Sequence, residues 1–207
     1  MTPPILWYFA DPMCSWCWGF APAIATLRSD TRAHLKIALV LGGLRAGETA
    51  PLTPAARDDI LHHWQAVHAR TGQPFRFDDA LPANFVYDTE PACRAVVAAG
   101  ALDAASPFPM FQAIQSAFYT GGRDVTQGSC LAQLAAGLGL DAARFADLWA
   151  SDTIRARTQA HFRQTRVAGV RGFPSLIVQQ DTRLTPIASG CEPLETVRTR
   201  LDACLAA

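Results

Sequence analysis

The sequence has no excess of charge of either sign. Its 207 residues include 18 Lys plus Arg and 18 Asp plus Glu, and half of all residues are hydrophobic. Proteins that bind nucleic acid or anionic lipid usually carry a basic patch, because their partners present many phosphates. The composition therefore gives no reason to expect either partner.

Long hydrophobic runs are also lacking. No stretch approaches the roughly 18 apolar residues of a membrane-spanning helix, and Asp11 interrupts the first apolar segment. The N-terminus has no positively charged region of the kind that begins a secretory signal peptide. We therefore expect a cytoplasmic protein that is complete from Met1 and has no membrane partner.

The sequence has six cysteines but no spacing typical of a metal site. Zinc bound by Cys14 and Cys17 would need two further ligands, and no second Cys-x-x-Cys motif or paired histidines supply them. Cytosolic thiols stay mostly reduced, so a close pair is more often catalytic than structural. We expect a redox role for this pair and small core residues at Cys93, Cys130 and Cys204.

Two hydrophobic runs flank the cysteine pair. Pro4–Phe9 (PILWYF) and Leu35–Leu41 (LKIALVL) have the length and composition of buried strands. Helical spacing of apolar residues begins directly after Cys14. The first 45 residues therefore predict a β-α-β unit.

The pattern changes to helix from Thr53 to about Ala168 and returns to strands after Gly169. The last segments predict two strands and a final helix, at Ser175–Val178, Arg183–Ala188 and Pro193–Leu205. We expect an α/β domain formed by residues 1–45 and 168–207, interrupted by an all-α insertion over residues 46–167.

The spacing of the two cysteines predicts different roles for them. The thiolate is the reactive species, and an unperturbed cysteine is only about 3% ionised at pH 7. Cys14 begins a helix, where free backbone N–H groups and the helix dipole favour a negative sulfur. Cys17 lies one turn later, close enough to form a disulfide but tucked against the protein. We expect Cys14 to be the nucleophile and Cys17 to resolve the mixed disulfide.

Residues next to the pair are further candidates. Trp16 and Trp18 lie beside an exposed thiol and are expected to rim a substrate-docking surface. Asp11 is expected either to cap the helix or to accept a proton from Cys17 during resolution. Cys191, in the turn before the last helix, is expected to be exposed, and its role stays open.

A second motif lies far from the first in the sequence. Gly169–Val178 (GVRGFPSLIV) places Pro174 before a predicted strand, whereas the cysteines lie in Asp11–Phe20 (DPMCSWCWGF). With these motifs and this strand order, the chain resembles the thioredoxin superfamily. The large helical block is similar to that of the DsbA branch. Asp11–Phe20 resembles the cytoplasmic DsbA-like proteins described as predicted protein-disulfide isomerases, related to the FrnE group, and the resemblance covers essentially the whole chain.

The resemblance implies a thioredoxin-like fold with an inserted all-α domain. It implies a thiol-disulfide oxidoreductase or isomerase that acts on protein or small-molecule disulfides. Pro174 would follow a cis peptide bond beside the redox pair, with Phe173 and Ser175 helping to bind an extended substrate, and Pro22 would kink the first helix. No metal or organic cofactor is implied, and glutathione is a candidate redox partner.

Two other functions stay open. DsbA-like folds include glutathione-dependent transferases and isomerases, such as the hydroxychromene carboxylate isomerases, in which Ser typically replaces the first cysteine and no resolving thiol follows. The chain could instead be a non-enzymatic adaptor that binds clients through its helical block. The sequence does not give the direction of electron flow, the physiological substrate, the recycling partner or the oligomeric state.

Overall fold

Four strands form one mixed sheet in the computed structural model, which describes residues 3–30 and 35–206. The strands are β1 (Ile5–Ala10), β2 (Lys36–Leu41), β3 (Ser175–Gln180) and β4 (Arg183–Ser189). Their spatial order is β2-β1-β3-β4, with β1 parallel to β2 and antiparallel to β3. Parallel neighbours need a crossover, and it contains two short helices, α1 (Ser15–Gly19) and α2 (Ala21–Ser29).

The chain between β2 and β3 is helical, as the sequence predicts. It contains α3 (Pro54–Thr71), α4 (Glu90–Leu102), α5 (Pro107–Tyr119), α6 (Gly128–Gly137), α7 (Ala142–Ala150) and α8 (Asp152–Val167). A last helix, α9 (Leu194–Leu205), follows β4. This order confirms the predicted fold class, whereas a domain boundary at residues 46 and 167 stays a prediction. Within the described residues, no helix has both the length and the apolarity needed to cross a membrane.

The helix after Cys14 is interrupted at Phe20, where α1 ends and α2 begins. Pro22 has no backbone N–H, so the carbonyl of Trp18 lacks its usual partner four residues later. The side chain of Gln73 compensates, because its Nε2 donates to the Trp18 carbonyl at 2.9 Å. The expected effect of Pro22 is therefore found as a break between two helices.

The two faces of the sheet pack against different groups of side chains. One face of β1 contributes Leu6 and Tyr8 to the large core shared with the helices. The opposite face carries a small cluster of Phe9, Val40 and Ile177. This division follows from the alternation of side chains along a strand.

The ring of Phe173 packs against this small cluster and lies on Gly42. A Cβ atom at residue 42 would lie 2.0 Å from Cζ of Phe173, which is far inside van der Waals contact. Gly42 directly follows β2, and Phe173 belongs to the segment before β3. The segment before β3 can therefore take this position only because residue 42 has no side chain.

Replacing Gly42 with Ala is expected to destabilise the protein by about 1–3 kcal/mol, because the Phe173 ring would have to move. Denaturant unfolding followed by circular dichroism measures the effect. Gly137→Ala, in helix α6, is the matched control, since a Cβ there meets nothing within 4 Å. Ala is more favourable than Gly in a helix by up to about 1 kcal/mol, so this substitution should not destabilise the protein. Equal effects of the two substitutions would contradict the packing described.

Candidate active site

Cys14 and Cys17 lie directly after β1, at the start of α1. Cys14 is the N-cap residue and Cys17 lies within the helix. Cys14 is 5% exposed and Cys17 is 0% exposed, and neither forms a disulfide. Both thiols are therefore buried, unlike the exposed thiol expected beside Trp16 and Trp18, and Cys14 is the more accessible of the two.

The segment before β3 lies beside Cys14. The thiol of Cys14 donates to the main-chain carbonyl of Phe173, with Sγ and O 3.6 Å apart. The Phe173–Pro174 peptide bond is cis, as the resemblance implied. The carbonyl of Pro174 in turn accepts a hydrogen bond from the Gly190 amide at 2.7 Å. The two sequence motifs are thus brought together through the main chain.

The side chains on either side of Pro174 are oriented differently from the sequence expectation. The Phe173 ring is packed on Gly42, and its main-chain carbonyl is the group bonded to Cys14. Ser175 is buried, and its hydroxyl donates to the Gly172 carbonyl at 2.8 Å. The Ser175 hydroxyl thus has a partner within the turn, whereas the Phe173 ring is half-buried, and the part of both residues in substrate binding stays a prediction.

The carboxylate of Asp11 is buried below the cysteine turn. Its Oδ1 accepts from the Met13 amide at 2.8 Å, and its Oδ2 accepts from the Leu44 amide at 2.7 Å. The thiol of Cys93 also donates to Oδ2, with Sγ 3.5 Å away. Helix α1 has no side-chain cap, so the capping role expected for Asp11 is wrong. Asp11 instead fixes the turn that precedes the helix.

Burial raises the pKa of Asp11, although the bound amides of Leu44 and Met13 and the side chains of Thr89 and Cys93 oppose the rise. The Cys93 thiol is thus both the expected core residue and a donor to this carboxylate. The site therefore holds a carboxyl group whose proton affinity is higher than that of an exposed aspartate.

Burial also raises the pKa of the Cys17 thiol well above its ordinary range. The neighbouring Cys14 thiol and the charge of Asp11 add to the rise, whereas the backbone of Asp11 opposes it. Tyr8 is buried next to the pair, and burial followed by the charges of the two cysteines raises the pKa of its hydroxyl. The raised pKa therefore favours the neutral form of the Cys17 thiol.

A tyrosine of the helical block, Tyr87, supports the cysteine turn. The hydroxyl of Tyr87 donates to the Met13 carbonyl at 2.7 Å, across 74 residues of sequence. Both groups are buried, so this contact ties the residue before Cys14 to the segment that leads into α4. Sequence reasoning missed Tyr87, because no local pattern indicates a partner so far away.

Trp16 and Trp18 have different surroundings. Trp16 lines a cavity of about 550 Å³ that also reaches Cys14. Trp18 packs on Tyr119 with ring centroids 6.0 Å apart, and its indole N–H donates to the Pro74 carbonyl at 2.9 Å. Trp18 thus has partners in the helical block, and its part in substrate binding stays a prediction.

The cavity beside Cys14 has walls of mixed charge. Trp64 and Tyr87 provide aromatic surface, and the ionisable residues lining it are Arg45, Glu48, Asp59 and His63. A ligand that carries both amine and carboxylate groups would find partners of opposite charge here. In the described part of the chain, no group of three or more His, Cys, Asp or Glu side chains could hold a metal ion.

Cys191 is half-buried rather than fully exposed. It follows Gly190, whose amide is bonded to the Pro174 carbonyl. Burial raises the pKa of its thiol, with a further rise from Cys14 and an opposing effect from Arg70. Cys191 therefore lies near the redox pair, although its function stays open.

Replacing Asp11 with Asn is expected to change how stability depends on pH. Because burial raises the pKa of Asp11 in the folded protein, the wild type loses stability as pH rises from the ordinary value of about 3.9 through the raised value. Asn does not titrate. The free energy of unfolding of the wild type, minus that of the variant, should therefore fall as pH rises over this interval and then level off. Urea unfolding of both proteins from about pH 4 to pH 8 measures it, and a constant difference would contradict the shift.

Two bacterial proteins of known structure are similar to this chain over nearly its whole length. A protein from Nitrosomonas europaea, provisionally described as a protein disulfide isomerase, is 46% identical, with a TM-score of 0.92 over 99% of this chain and 98% of its own. The cytosolic disulfide reductase DsbM from Pseudomonas aeruginosa is 30% identical, with a TM-score of 0.82 over 98% of this chain and 100% of its own. DsbM has also been solved with GSH.

A 2-hydroxychromene-2-carboxylate isomerase shares the fold alone. It is 16% identical, with a TM-score of 0.68 over 97% of this chain and 95% of its own. Among curated proteins, none matches the sequence. The family model described as DSBA-like thioredoxin domain matches residues 5–202. The chain therefore belongs to the DsbA-like thioredoxin family, whose members include thiol-disulfide oxidoreductases.

Proposed function

We propose that this protein catalyses thiol-disulfide exchange through Cys14 and Cys17. The observation that carries the proposal is the unequal burial of two thiols at the start of α1, beside the main chain of Phe173 and Pro174. A slightly exposed thiol and a fully buried one, within one helical turn, suit a nucleophile and a resolving thiol.

The reaction has two exchange steps. The Cys14 thiolate attacks one sulfur of a substrate disulfide, which forms a Cys14–substrate disulfide and releases the other substrate sulfur as a thiolate. Cys17 then loses its proton and attacks Sγ of Cys14, which forms the Cys14–Cys17 disulfide and releases the second substrate thiolate. The substrate gains two electrons and the cysteine pair loses them, and the reverse sequence oxidises a dithiol.

Asp11 is our candidate for the group that accepts the proton from Cys17. The charge of its carboxylate acts on the Cys17 thiol, and the carboxylate lies in the same buried region. Its own raised pKa makes it a better proton acceptor than an exposed carboxylate. The proton would pass from the Cys17 thiol to the Asp11 carboxylate as Cys17 attacks the mixed disulfide at Cys14.

Glutathione is our candidate for the small redox partner. The cavity beside Cys14 offers Arg45 and His63 to carboxylates and Glu48 and Asp59 to an amine. The chain is similar to DsbM, a cytosolic disulfide reductase that has been solved with GSH. This similarity supports reduction of disulfides in the cytoplasm as the physiological direction. Equilibration of the cysteine pair with reduced and oxidised glutathione measures this direction, because the potential separates reductants from oxidants.

The two alternative functions predict different results. A glutathione-dependent isomerase would bind glutathione and turn over its substrate without Cys14 sulfur chemistry. A client adaptor would bind its partners equally well after replacement of both Cys14 and Cys17 by Ala. The intact cysteine pair favours the exchange reaction over both.

Replacing Cys17 with Ser is expected to trap substrates on Cys14, since the mixed disulfide can no longer be resolved. Mass spectrometry after exposure to oxidised glutathione and to cell lysate should find disulfide adducts at Cys14. Cys130→Ser is the matched control, because Cys130 lies on α6, outside the cavity beside Cys14, and it should trap no more than the wild type. Absence of adducts at Cys14 would count against the proposed reaction.

The Asp11→Asn variant is expected to resolve a Cys14–glutathione disulfide at least about tenfold more slowly at pH 7, because Cys17 has lost its proton acceptor. The difference should shrink as pH rises, since hydroxide then deprotonates the Cys17 thiol, whose pKa is raised. Stopped-flow measurement of glutathione release gives the rates. Equal slowing at every pH would show a purely structural role for Asp11.

A further inference from the structure

The outer edge of β2 is open over part of its length. β2 is at one end of the sheet, and the Lys36 and Gly42 amides donate to carbonyls of the β1 segment at 3.3 and 2.9 Å. Main-chain groups of a strand alternate in direction. The N–H and C=O groups of Ile37, Leu39 and Leu41 therefore point away from the sheet.

Helix α8 covers one end of this edge. The Leu41 amide donates to Nδ1 of His161 at 3.3 Å, and the Leu41 carbonyl accepts from the Thr165 hydroxyl at 3.0 Å. In residues 3–30 and 35–206, no second strand pairs with this edge of β2. The outward main-chain groups of Ile37 and Leu39 are thus available to a further strand.

A cavity of about 700 Å³ lies against the open part of the edge. Its wall includes Ile37, Ala38 and Leu39. Because consecutive side chains of a strand point to opposite faces, a cavity that meets all three lies at the strand edge. The facing wall, from α4 and the start of α5, is made of small and apolar residues: Val96, Val97, Gly100, Ala101, Pro107 and Phe108.

The ionisable residues of the cavity are basic. Arg28 and Arg157 line it, no Asp or Glu does, and neither arginine forms an ion pair within the described chain. The Arg28 guanidinium lies 3.9 Å from the centroid of the Phe108 ring, which holds it at the rim. Because Nδ1 of His161 accepts the Leu41 amide, its proton is on Nε2, which is a further donor. The cavity is therefore complementary to an apolar ligand with a negative charge.

We propose that this cleft binds an extended polypeptide segment that pairs with the outer edge of β2 and carries apolar and acidic side chains. The main chain of the segment would bond to Ile37 and Leu39, its apolar side chains would pack on the α4 wall, and a carboxylate would lie between Arg28 and Arg157. The proposal does not depend on the chemistry of Cys14, which lines a different cavity.

Fluorescence polarisation with a labelled, cysteine-free peptide of alternating leucine and glutamate tests the proposal. Saturable binding is expected, and Arg157→Glu should weaken it by at least about tenfold, since it replaces attraction with repulsion. Arg163→Glu is the matched control, because Arg163 lies on the same helix, is exposed and does not line the cavity. It should leave the dissociation constant unchanged.

Two further peptides separate main-chain from side-chain recognition. Methylation of alternate backbone amides removes the N–H groups that would pair with β2, and lysine in place of glutamate reverses the charge. Both peptides should lose binding. Circular dichroism shows whether Arg157→Glu is folded. If it is not, Ala104→Glu is used in its place, because Ala104 is exposed and also lines the cavity.

Three results would overturn the proposal. They are absence of binding by the alternating peptide, equal binding by the methylated peptide, and unchanged affinity in the folded charge-reversal variant. Binding of decanoate in place of the peptide would show a site for a small amphiphilic carboxylate instead. All these measurements can succeed when Cys14 traps no substrate, so the outcome is separate from that of the thiol-disulfide proposal.

Discussion

The buried carboxylate of Asp11 is the interaction on which the arrangement of the site depends. It joins the turn before α1, through Met13, to the segment after β2, through Leu44, and to α4, through Cys93. These elements come from distant parts of the sequence, and burial of a charged group is tolerated only when donors surround it. The carboxylate therefore links three elements that are far apart in the sequence, and it lies in the same buried region as Cys17.

Much of the fold could be predicted because its signals are local. The apolar runs of β1 and β2, the helical block and the final hairpin and helix each follow from patterns within a few residues. Cys14, Cys17 and Pro174 could be named as candidate site residues, since a Cys-x-x-Cys at a helix start and a proline before a strand are short motifs, and their roles stay predictions. The parallel pairing of β1 with β2 followed from the β-α-β order.

Contacts between distant residues account for what the sequence could not show. The Phe173 ring turns onto Gly42 because that glycine leaves a space, and nothing near Phe173 in the sequence indicates this. Tyr87 reaches Met13, and Cys93 reaches Asp11, only after the helical block has packed on the sheet. The direction of the Ser175 hydroxyl is likewise set by the folded turn rather than by residue type.

The break at Pro22 has a consequence for how α1 is connected to the cavity beside Cys14. Trp18 is held twice by the segment after α3, through Gln73 to its carbonyl and through Pro74 to its indole. Asp59 and His63, on α3, form one wall of the cavity beside Cys14. Helix α1, which carries Cys17, is therefore joined through the Gln73–Pro74 segment to the helix that forms that wall, so the position of α1 and the shape of the cavity depend on each other.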